Sequence, residues 1–354
     1  MKQLTRYVSR SVLSAMLLVL LLLLGLEVVF SFIGELEDVK GAYTATEALI
    51  YILLSAPGRA YDLLPTAALI GGIAGLGMLA SASELTVMRA SGVSILRLVW
   101  WVLRPALLFV LAGVLMAQYV VPKTDAMAET RKATAQGNSA MAGWLNSYWH
   151  REGDALLRIG RVDPAGVLHG LVFFRFSPEG RLQESTLIEN AYYEGGQWRL
   201  SNLRETRFQP DGSSLVVVTP ERIWPSQLTP EFLQLVTRKA DNLSITDLYR
   251  YAHYMQKQGL DAGSYYLEFW KKTLAPLATL SMVLIACSFI FGPLRSVTMG
   301  LRILAGVMAG LLFRYGQDFL GYASLVYDFS PVLAAGLPIA ACLLIGGVAI
   351  ARVK

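Results

Sequence analysis

Long apolar runs divide this chain into three parts, with three runs before and three after a middle segment of mixed composition. The runs cover residues 12–33, 63–82, 98–121, 274–291, 303–320 and 332–350. Each is close to the length of about 20 apolar residues that a helix needs to cross the hydrocarbon core of a bilayer. The fourth run is somewhat short, and residues 265–273 could lengthen it. The pattern predicts six membrane-spanning helices, with both termini on one side of the membrane.

The middle segment has the pattern of a β domain. Runs rich in β-branched and aromatic residues are separated by turn signals such as Glu194-Gly195-Gly196. The predicted strands cover residues 156–162, 168–176, 182–193, 198–208 and 215–218. Strands spaced by about a dozen residues are typical of an antiparallel sandwich or an open jelly roll. The predicted fold class is therefore an α-helical membrane protein with six transmembrane helices and an all-β, jelly-roll-like domain inserted between helices three and four.

The predicted domain organisation has three parts. Residues 1–139 hold the first three spans, residues 140–243 form the β domain, and residues 244–354 hold the last three spans. This third part opens with an amphipathic helix that runs through Lys257. Ser244 and Asp247 have the spacing of a capping box at its start.

Composition and charge agree with a membrane protein. Of the 354 residues, 54% are hydrophobic and only 16% are charged, whereas soluble domains carry roughly 25% charged residues. Lys and Arg accumulate in the cytoplasmic connections of membrane proteins. Four segments on one side hold Lys2, Arg6, Arg10, Arg89, Arg97, Arg295, Arg302, Arg352 and Lys354. We therefore expect cytoplasmic termini and a β domain outside the cytoplasm.

Catalytic signatures are missing from the sequence. It contains no G-x-x-x-x-G-K-[ST] phosphate loop, no H-E-x-x-H pair and no G-x-S-x-G elbow. Its three histidines are scattered, and Cys287 and Cys342 lie inside apolar runs. We expect no catalytic residue, no metal site and no nucleic-acid partner. A membrane-anchored scaffold or enzyme acting on envelope lipids is an alternative that a catalytic pair in the β domain would favour.

The connection between spans two and three predicts a short helix over residues 83–91. Ser81 and Glu84 have the spacing of a capping box, and Gly92 provides a stop signal. We expect apolar side chains to project from this helix, namely Leu85, Val87 and Met88. One interpretation is a connector that lies on the lipid headgroups. The other is a knob that docks into a groove on a cytoplasmic partner.

Several charged residues lie within or beside the predicted spans. Glu27 is near the outer end of span one, where its side chain could snorkel to the interface. Arg314 lies near the middle of span five, where a cation usually faces a cavity or a partner. Asp318, four residues on, could pair with Arg314; alternatively, Arg314 lines a cavity wall that receives an anionic group.

A basic rim is predicted at the outer headgroup level. Its candidate members are Lys40, Arg131 and Lys132, which lie near the outer ends of spans one and three. Such a rim could hold lipid phosphates, or its members could be ordinary solvated charges. Small-residue patterns at residues 71–77 and 306–310 permit close helix contact, within the chain or with a partner subunit.

Taken together, these features resemble the lipopolysaccharide-export permease family (LptF/LptG) over nearly the whole chain. The most specific stretches are residues 76–80 (LGMLA), 83–92 (SELTVMRASG) and 288–300 (SFIFGPLRSVTMG). The last resembles the G-type branch rather than the F-type branch, although a sister F-type subunit is kept as an alternative.

The resemblance implies the permease of an ATP-driven transporter in the bacterial inner membrane. Members pair as F with G over a cytoplasmic ATPase dimer, which binds ATP and Mg²⁺, so no cofactor is expected on this chain. A single-span protein with its own periplasmic jelly roll completes the complex. Spans one and five line a cavity that takes lipopolysaccharide from the outer leaflet, and the β domain passes it to a periplasmic protein bridge.

The resemblance also assigns site residues. The family's coupling helix falls on residues 83–91, and its ATPase-coupling residues are Glu84, Leu85, Val87, Met88, Arg89, Ser91 and Gly92. Lys40, Lys132 and Arg302 lie near the positions where the family's basic residues meet lipid phosphates. Arg131, from the basic rim, and Arg314, which belongs to no family motif, complete the candidate lipopolysaccharide-binding residues: Lys40, Arg131, Lys132, Arg302 and Arg314. Two departures affect this second set, because residues 34–40 are more acidic than is typical of the family and Arg302 lies at the cytoplasmic end of its span.

Overall fold

The structure is a computed structural model that describes residues 2–136, 148–152, 155–162, 166–177, 180–209, 212–226, 228–230, 233, 240–257, 261–292 and 297–352. Arg295, Lys354 and the predicted boundary at residues 139 and 140 lie outside these residues. The chain forms two compact units. The larger comprises Met1–Val39, Thr44–Glu129 and Ala240–Lys354, and the smaller comprises Lys40–Tyr43 and Thr130–Lys239.

The larger unit is helical. Its elements are α1 (Lys2–Glu35), α2 (Ala45–Ser81), α3 (Glu84–Ala90), α4 (Ile95–Leu115), a π turn (Met116–Val120), α5 (Val121–Ala135, which ends in the smaller unit), α6 (Ile245–Lys257), α7 (Gly263–Phe291), α8 (Met299–Tyr327) and α9 (Pro331–Ala351). In the described part of the chain, six helical stretches are long and apolar enough to cross a membrane. They are α1, α2, α4 continued through α5, α7, α8 and α9, and we number them spans one to six. The predicted six-span architecture is confirmed.

Several helices extend beyond the apolar runs that predicted them. Span two begins at Ala45 rather than near residue 63, with Thr44 as its N-cap, whose side chain accepts from the Glu47 amide. Span four begins at Gly263, so it does include residues 265–273. At about 1.5 Å per residue, a helix of 37 residues is longer than the hydrocarbon core of about 30 Å.

Small residues bring the spans into close contact within the chain. A Cβ atom on Gly71 would lie 2.4 Å from the Met16 Cα atom of span one, and one on Gly75 would lie 2.9 Å from Val12 Cα. In span five, a Cβ on Gly306 would lie 2.5 Å from Ile73 Cδ1 of span two. The small-residue patterns therefore serve packing within the chain, one of the two alternatives that the sequence left open.

The smaller unit contains one antiparallel sheet. Its described strands are β1 (Tyr148–Glu152), β2 (Ala155–Ile159), β3 (Arg161–Val162), β4 (Leu168–Phe176), β5 (Leu182–Glu194), β6 (Gln197–Phe208) and β7 (Ser214–Trp224). The sheet order is β1-β2-β4-β5-β6-β7, with β3 also pairing with β4. The predicted all-β insertion between spans three and four is confirmed, and the described strands other than β3 follow one another across the sheet in chain order.

A local irregularity at Asn202 in β6, with no change of pairing register, changes which side chains are buried. Asn202 has a positive φ of 55°, and Ser201 and Leu203 pair with Asn190 and Ile188, so that one residue of each strand is passed over. Alternation restarts one position later, and Glu205 therefore lies on the buried face with Leu203.

The amphipathic helix α6 begins as the sequence predicts. The Ser244 hydroxyl accepts from the Asp247 amide at 3.1 Å and donates to the Asp247 carboxylate at 2.6 Å. The capping interaction is confirmed, and it satisfies an amide that the helix itself leaves unpaired.

Candidate functional site

The helix α3, between spans two and three, ends in a Schellman motif. The Val93 amide donates to the Met88 carbonyl, and the Gly92 amide donates to the Arg89 carbonyl. Gly92 has a φ of +91°, a conformation that favours glycine. The Ser91 hydroxyl also donates to the Met88 carbonyl, at 2.8 Å. The predicted stop at Gly92 is confirmed.

The start of α3 differs from the prediction. Ser81 is the last residue of α2, and its hydroxyl donates to the Gly77 carbonyl at 2.9 Å. The N-cap of α3 is Ser83, which has a φ of 60° and makes no side-chain capping hydrogen bond. The predicted capping box is wrong because Ser81 still belongs to α2, where its hydroxyl bonds to the preceding turn instead of capping α3. Only Ala82 and Ser83 remain to reverse the chain, and Ser83 adopts the left-handed conformation.

The two faces of α3 have different surroundings. Leu85 and Met88 are buried, with 4% and 6% exposure, in the same core cluster as Val8 of span one. Val87 is 66% exposed. The expectation that Leu85 and Met88 project outward is wrong, because residues three apart share a helix face and this face packs on the chain's own spans. The outward surface is formed by Thr86, Val87, Arg89 and Ala90.

Glu84 lies at the edge between these two faces. Its Oε1 atom accepts a hydrogen bond from the Tyr7 hydroxyl of span one at 3.1 Å. Its Oε2 atom is buried and has no hydrogen-bond partner within the described part of the chain. A carboxylate oxygen in this state is costly unless a donor approaches.

Two candidates of the basic rim come together in the smaller unit. Lys40 and Tyr43 form an isolated antiparallel bridge, in which the Tyr43 amide donates to the Lys40 carbonyl at 3.1 Å. The Lys132 ammonium lies 5.8 Å from the centre of the fully buried Tyr43 ring, at cation–π distance. Arg131, the preceding residue, is exposed. The sequence did not predict a role for Tyr43, because a single aromatic residue outside any motif does not indicate a site.

Two other candidates lie elsewhere, on span five. Arg302 is in the first turn of α8 and is buried. Arg314 is exposed and lies twelve residues further along the same helix, or about 18 Å at 1.5 Å per residue. Arg302 and Arg314 therefore do not form one patch, and the burial of Arg302 contradicts a surface contact with lipid phosphate.

The predicted pairing of Arg314 with Asp318 is also wrong. The Asp318 carboxylate instead faces Lys271 of span four, with 3.6 Å between Oδ1 and Nζ. Lys271 also pairs with Glu268 at 3.1 Å. Likewise, Glu27 does not simply snorkel, because it forms an ion pair with Arg59 of span two at 3.1 Å. Both pairings join neighbouring spans, which sequence spacing along a single helix cannot reveal.

Lys272 is a further site residue that the sequence pattern did not predict. This residue is buried within span four, and its ammonium donates to the backbone carbonyls of Asp241 and Leu243 at 2.6 and 2.7 Å. These carbonyls belong to the segment that leads back from the β insertion toward α6. The available signal was a charged pair, Lys271-Lys272, inside the stretch that lengthens span four.

Spans one and five are the least packed. Only 6% of the most apolar window of span one and 22% of that of span five are buried inside the chain, compared with 67% for span two. Their exposed large side chains include Leu18, Leu21, Leu22 and Phe30 in span one and Leu312, Phe319 and Tyr322 in span five. Both spans thus present broad apolar faces.

Comparison with known proteins matches this architecture to one family. The family described as "Lipopolysaccharide export system permease LptF/LptG" matches residues 6–352. The chain belongs to the LptF/LptG family. It is 35% identical over 349 residues to the lipopolysaccharide export system permease protein LptG of Escherichia coli K12, covering 97% of this chain and 96% of that protein. Over 341 residues it is 30% identical to LptG of Haemophilus influenzae Rd, covering 95% and 94%.

Membership of the LptF/LptG family makes this chain a transport permease rather than an enzyme, and a multi-pass protein of the inner membrane. Both of these LptG relatives are G-type proteins. In the described residues, no three His, Cys, Asp or Glu side chains come together as metal ligands would.

Proposed function

We propose that this G-type permease takes lipopolysaccharide from the outer leaflet of the inner membrane and passes it to a periplasmic protein bridge. Its homologous F-type partner would complete the permease, and a separate cytoplasmic ATPase dimer would bind ATP and Mg²⁺. A single-span protein with a periplasmic jelly roll is the remaining partner, with lipopolysaccharide and membrane lipids as ligands. The observation that carries the proposal is the pair of unpacked apolar faces on spans one and five.

The physical requirement for these faces comes from the substrate. Each CH₂ group that leaves hydrocarbon for water costs about 0.8 kcal/mol, so extraction of several acyl chains needs apolar protein surface and an energy source. Spans one and five offer such surface. A second permease subunit facing them would enclose a cavity. We place the termini in the cytoplasm and the sheet in the periplasm, because Lys and Arg residues accumulate in the terminal segments and in the connections between spans two and three and between spans four and five.

The energy would enter through α3. Its buried face, with Leu85 and Met88, fixes α3 to the spans, while Val87 and Arg89 face outward. Glu84 is half-buried at the edge between the two faces of α3, where its carboxylate would be one contact for a donor from the ATPase, and Ser91 and Gly92 fix the end of the helix. Closure of the ATPase dimer would then move α3 together with the spans on which it packs.

The lipid phosphates would meet Lys40 and Lys132 around Tyr43, with the exposed Arg131 beside them. Arg314 is a separate candidate on the open face of span five. Arg302 has no part in this proposal because it is buried at the other end of that helix.

A photo-crosslinkable amino acid at Val87 tests the coupling role in cells. The outward position of Val87 predicts capture of an ATPase, which mass spectrometry would identify. The matched control is Leu85, two residues away on the buried face, where we expect capture within the chain only. If Val87 captured only phospholipid, α3 would be a headgroup connector and the scaffold alternative would be favoured.

A further inference from the structure

A side-chain hydrogen bond joins span one to α3. The Tyr7 hydroxyl, in the second turn of α1, donates to Glu84 Oε1 at 3.1 Å. The two residues are 77 positions apart in the sequence. Tyr7 and Glu84 belong to the larger unit, so this hydrogen bond joins two elements of one compact body.

The residues around Tyr7 tie span one to different neighbours. Val8 is fully buried in the core cluster that also contains Leu85 and Met88 of α3. The Ser9 hydroxyl donates to the Trp101 carbonyl of span three at 2.8 Å. Val8 contributes apolar packing, Ser9 fixes span one to span three, and Tyr7 alone of the three donates a described hydrogen bond to α3.

The Tyr7 hydrogen bond differs from the packing contacts in how it responds to movement. Leu85 and Met88 are enclosed by several spans, and separating them from the core exposes apolar surface. Tyr7 is about half exposed, so its hydroxyl can gain or lose Glu84 without unpacking the core. The hydrogen bond also fixes the orientation of the carboxylate, and with it the position of the unpartnered Oε2 atom.

Most of the apolar surface of span one is left unpacked within the chain, whereas its N-terminal part, which includes Tyr7 and Val8, lies against α3 and span three. We propose that Tyr7 is a positioning residue that holds the Glu84 carboxylate and transmits displacement of α3 to span one. The inference rests on the proposed function and adds a residue to it. In this role Tyr7 contacts neither the ATPase nor the lipid, and it acts through Glu84.

The test uses the full complex in proteoliposomes, with Tyr7→Phe in this chain. Phenylalanine keeps the ring and its packing but removes the donor. One net hydrogen bond corresponds to about a threefold to tenfold change in an equilibrium. We expect lipopolysaccharide released per ATP hydrolysed to fall about threefold to tenfold, while ATP hydrolysis stays within twofold of the unmodified complex. Incorporation of 4-aminophenylalanine at residue 7, which restores an N–H donor, is expected to recover most of the release.

The matched control is Tyr119→Phe, which removes a hydroxyl from an exposed tyrosine in the π turn of span three. Release per ATP should not change in this variant. The positioning role is overturned if Tyr7→Phe behaves like Tyr119→Phe, or if it reduces ATP hydrolysis and release in parallel. Failure of the proposed function itself is distinguishable, because the unmodified complex would then release no lipopolysaccharide.

Discussion

The Lys272 ammonium of span four donates to the backbone carbonyl of Leu243 at 2.7 Å, and to that of Asp241 at 2.6 Å. A buried cation within a span is costly unless it is paired. Here its partners are carbonyls of the segment that connects the β insertion to α6. Lys272 therefore fixes the start of the last third of the chain to span four.

Substitution Lys272→Met should destabilise this attachment. Methionine fills a similar volume but leaves two carbonyls without their donor, at about 1–3 kcal/mol for each acceptor that stays buried. We expect a lower thermal midpoint of the purified protein in detergent and faster proteolysis near residue 240. The control is Lys271→Met, whose half-buried ion pairs with Glu268 and Asp318 contribute about 0–1 kcal/mol. Equal effects of the two substitutions would contradict this role for Lys272.

Spans one and two cross so closely at Gly71 that we expect no larger residue to fit there. In Gly71→Ala the new Cβ would lie 2.4 Å from Met16 Cα, a backbone atom that cannot turn away. We expect loss of folded protein from the membrane fraction, measured by size-exclusion chromatography after extraction. In Gly25→Ala, by contrast, the Cβ would meet nothing within 4 Å, and alanine is the better helix former. A well-folded Gly71→Ala protein would show that the two spans pack differently.

The stability of the sheet should depend on the ionisation of Glu205. Burial alone would raise the pKa of Glu205, but hydrogen bonds and charge from Arg222, at 2.9 Å, and from Arg207 outweigh it and hold the pKa below its ordinary value of 4.5. Because the folded-state pKa is the lower one, ionised Glu205 stabilises the sheet above pH 4.5. That stabilisation is lost as the pH falls through the folded-state pKa.

Hydrogen exchange of the β6 amides in the full-length protein measures this effect. Glu205→Gln should reduce protection at pH 7 by the equivalent of about 1.5–3 kcal/mol, the contribution of hydrogen bonds to a charged group. The difference from the unmodified protein should shrink below pH 4.5. Glu221→Gln, at an exposed position of β7, is the matched control and should alter protection little at either pH. A pH-independent loss in Glu205→Gln would indicate a packing defect instead.

Lys132 provides the sharpest test of the basic rim. Lys132→Ala removes the ammonium above Tyr43, and we expect capture of lipopolysaccharide by a photo-crosslinker at Lys40 to fall severalfold. Lys123→Ala removes an exposed lysine from the same helix and should leave capture unchanged. Equal capture in the two variants would mean that Lys132 is an ordinary solvated charge.

The six spans and the sheet were predictable because apolar length and strand alternation are local properties of a sequence. The ends of the helices were not. Span two begins at Ala45 although residues 45–62 include charges and a proline, and contacts such as the Arg59–Glu27 ion pair hold that segment. Similarly, no strand pattern predicted the left-handed backbone of Asn202, after which Glu205 lies on the buried face.

The candidate site was predictable in position but less so in orientation. The sequence located α3 and its stop at Gly92, yet it assigned the wrong face as the outer one, because the burial of Leu85 and Met88 depends on spans distant in sequence. The same reason explains the error at Asp318. The four-residue spacing along the helix suggested Arg314 as the ion-pair partner of Asp318, whereas in the fold that partner is Lys271 of the neighbouring span.

The central claim is that this permease releases lipopolysaccharide when a separate ATPase hydrolyses ATP. The most direct measurement is the transfer of lipopolysaccharide from proteoliposomes to a soluble periplasmic acceptor, using this chain, its F-type partner and the ATPase. The account predicts transfer with ATP, and none with a non-hydrolysable analogue or when this chain is omitted. Transfer that is equal with and without ATP, or that persists without this chain, would contradict it.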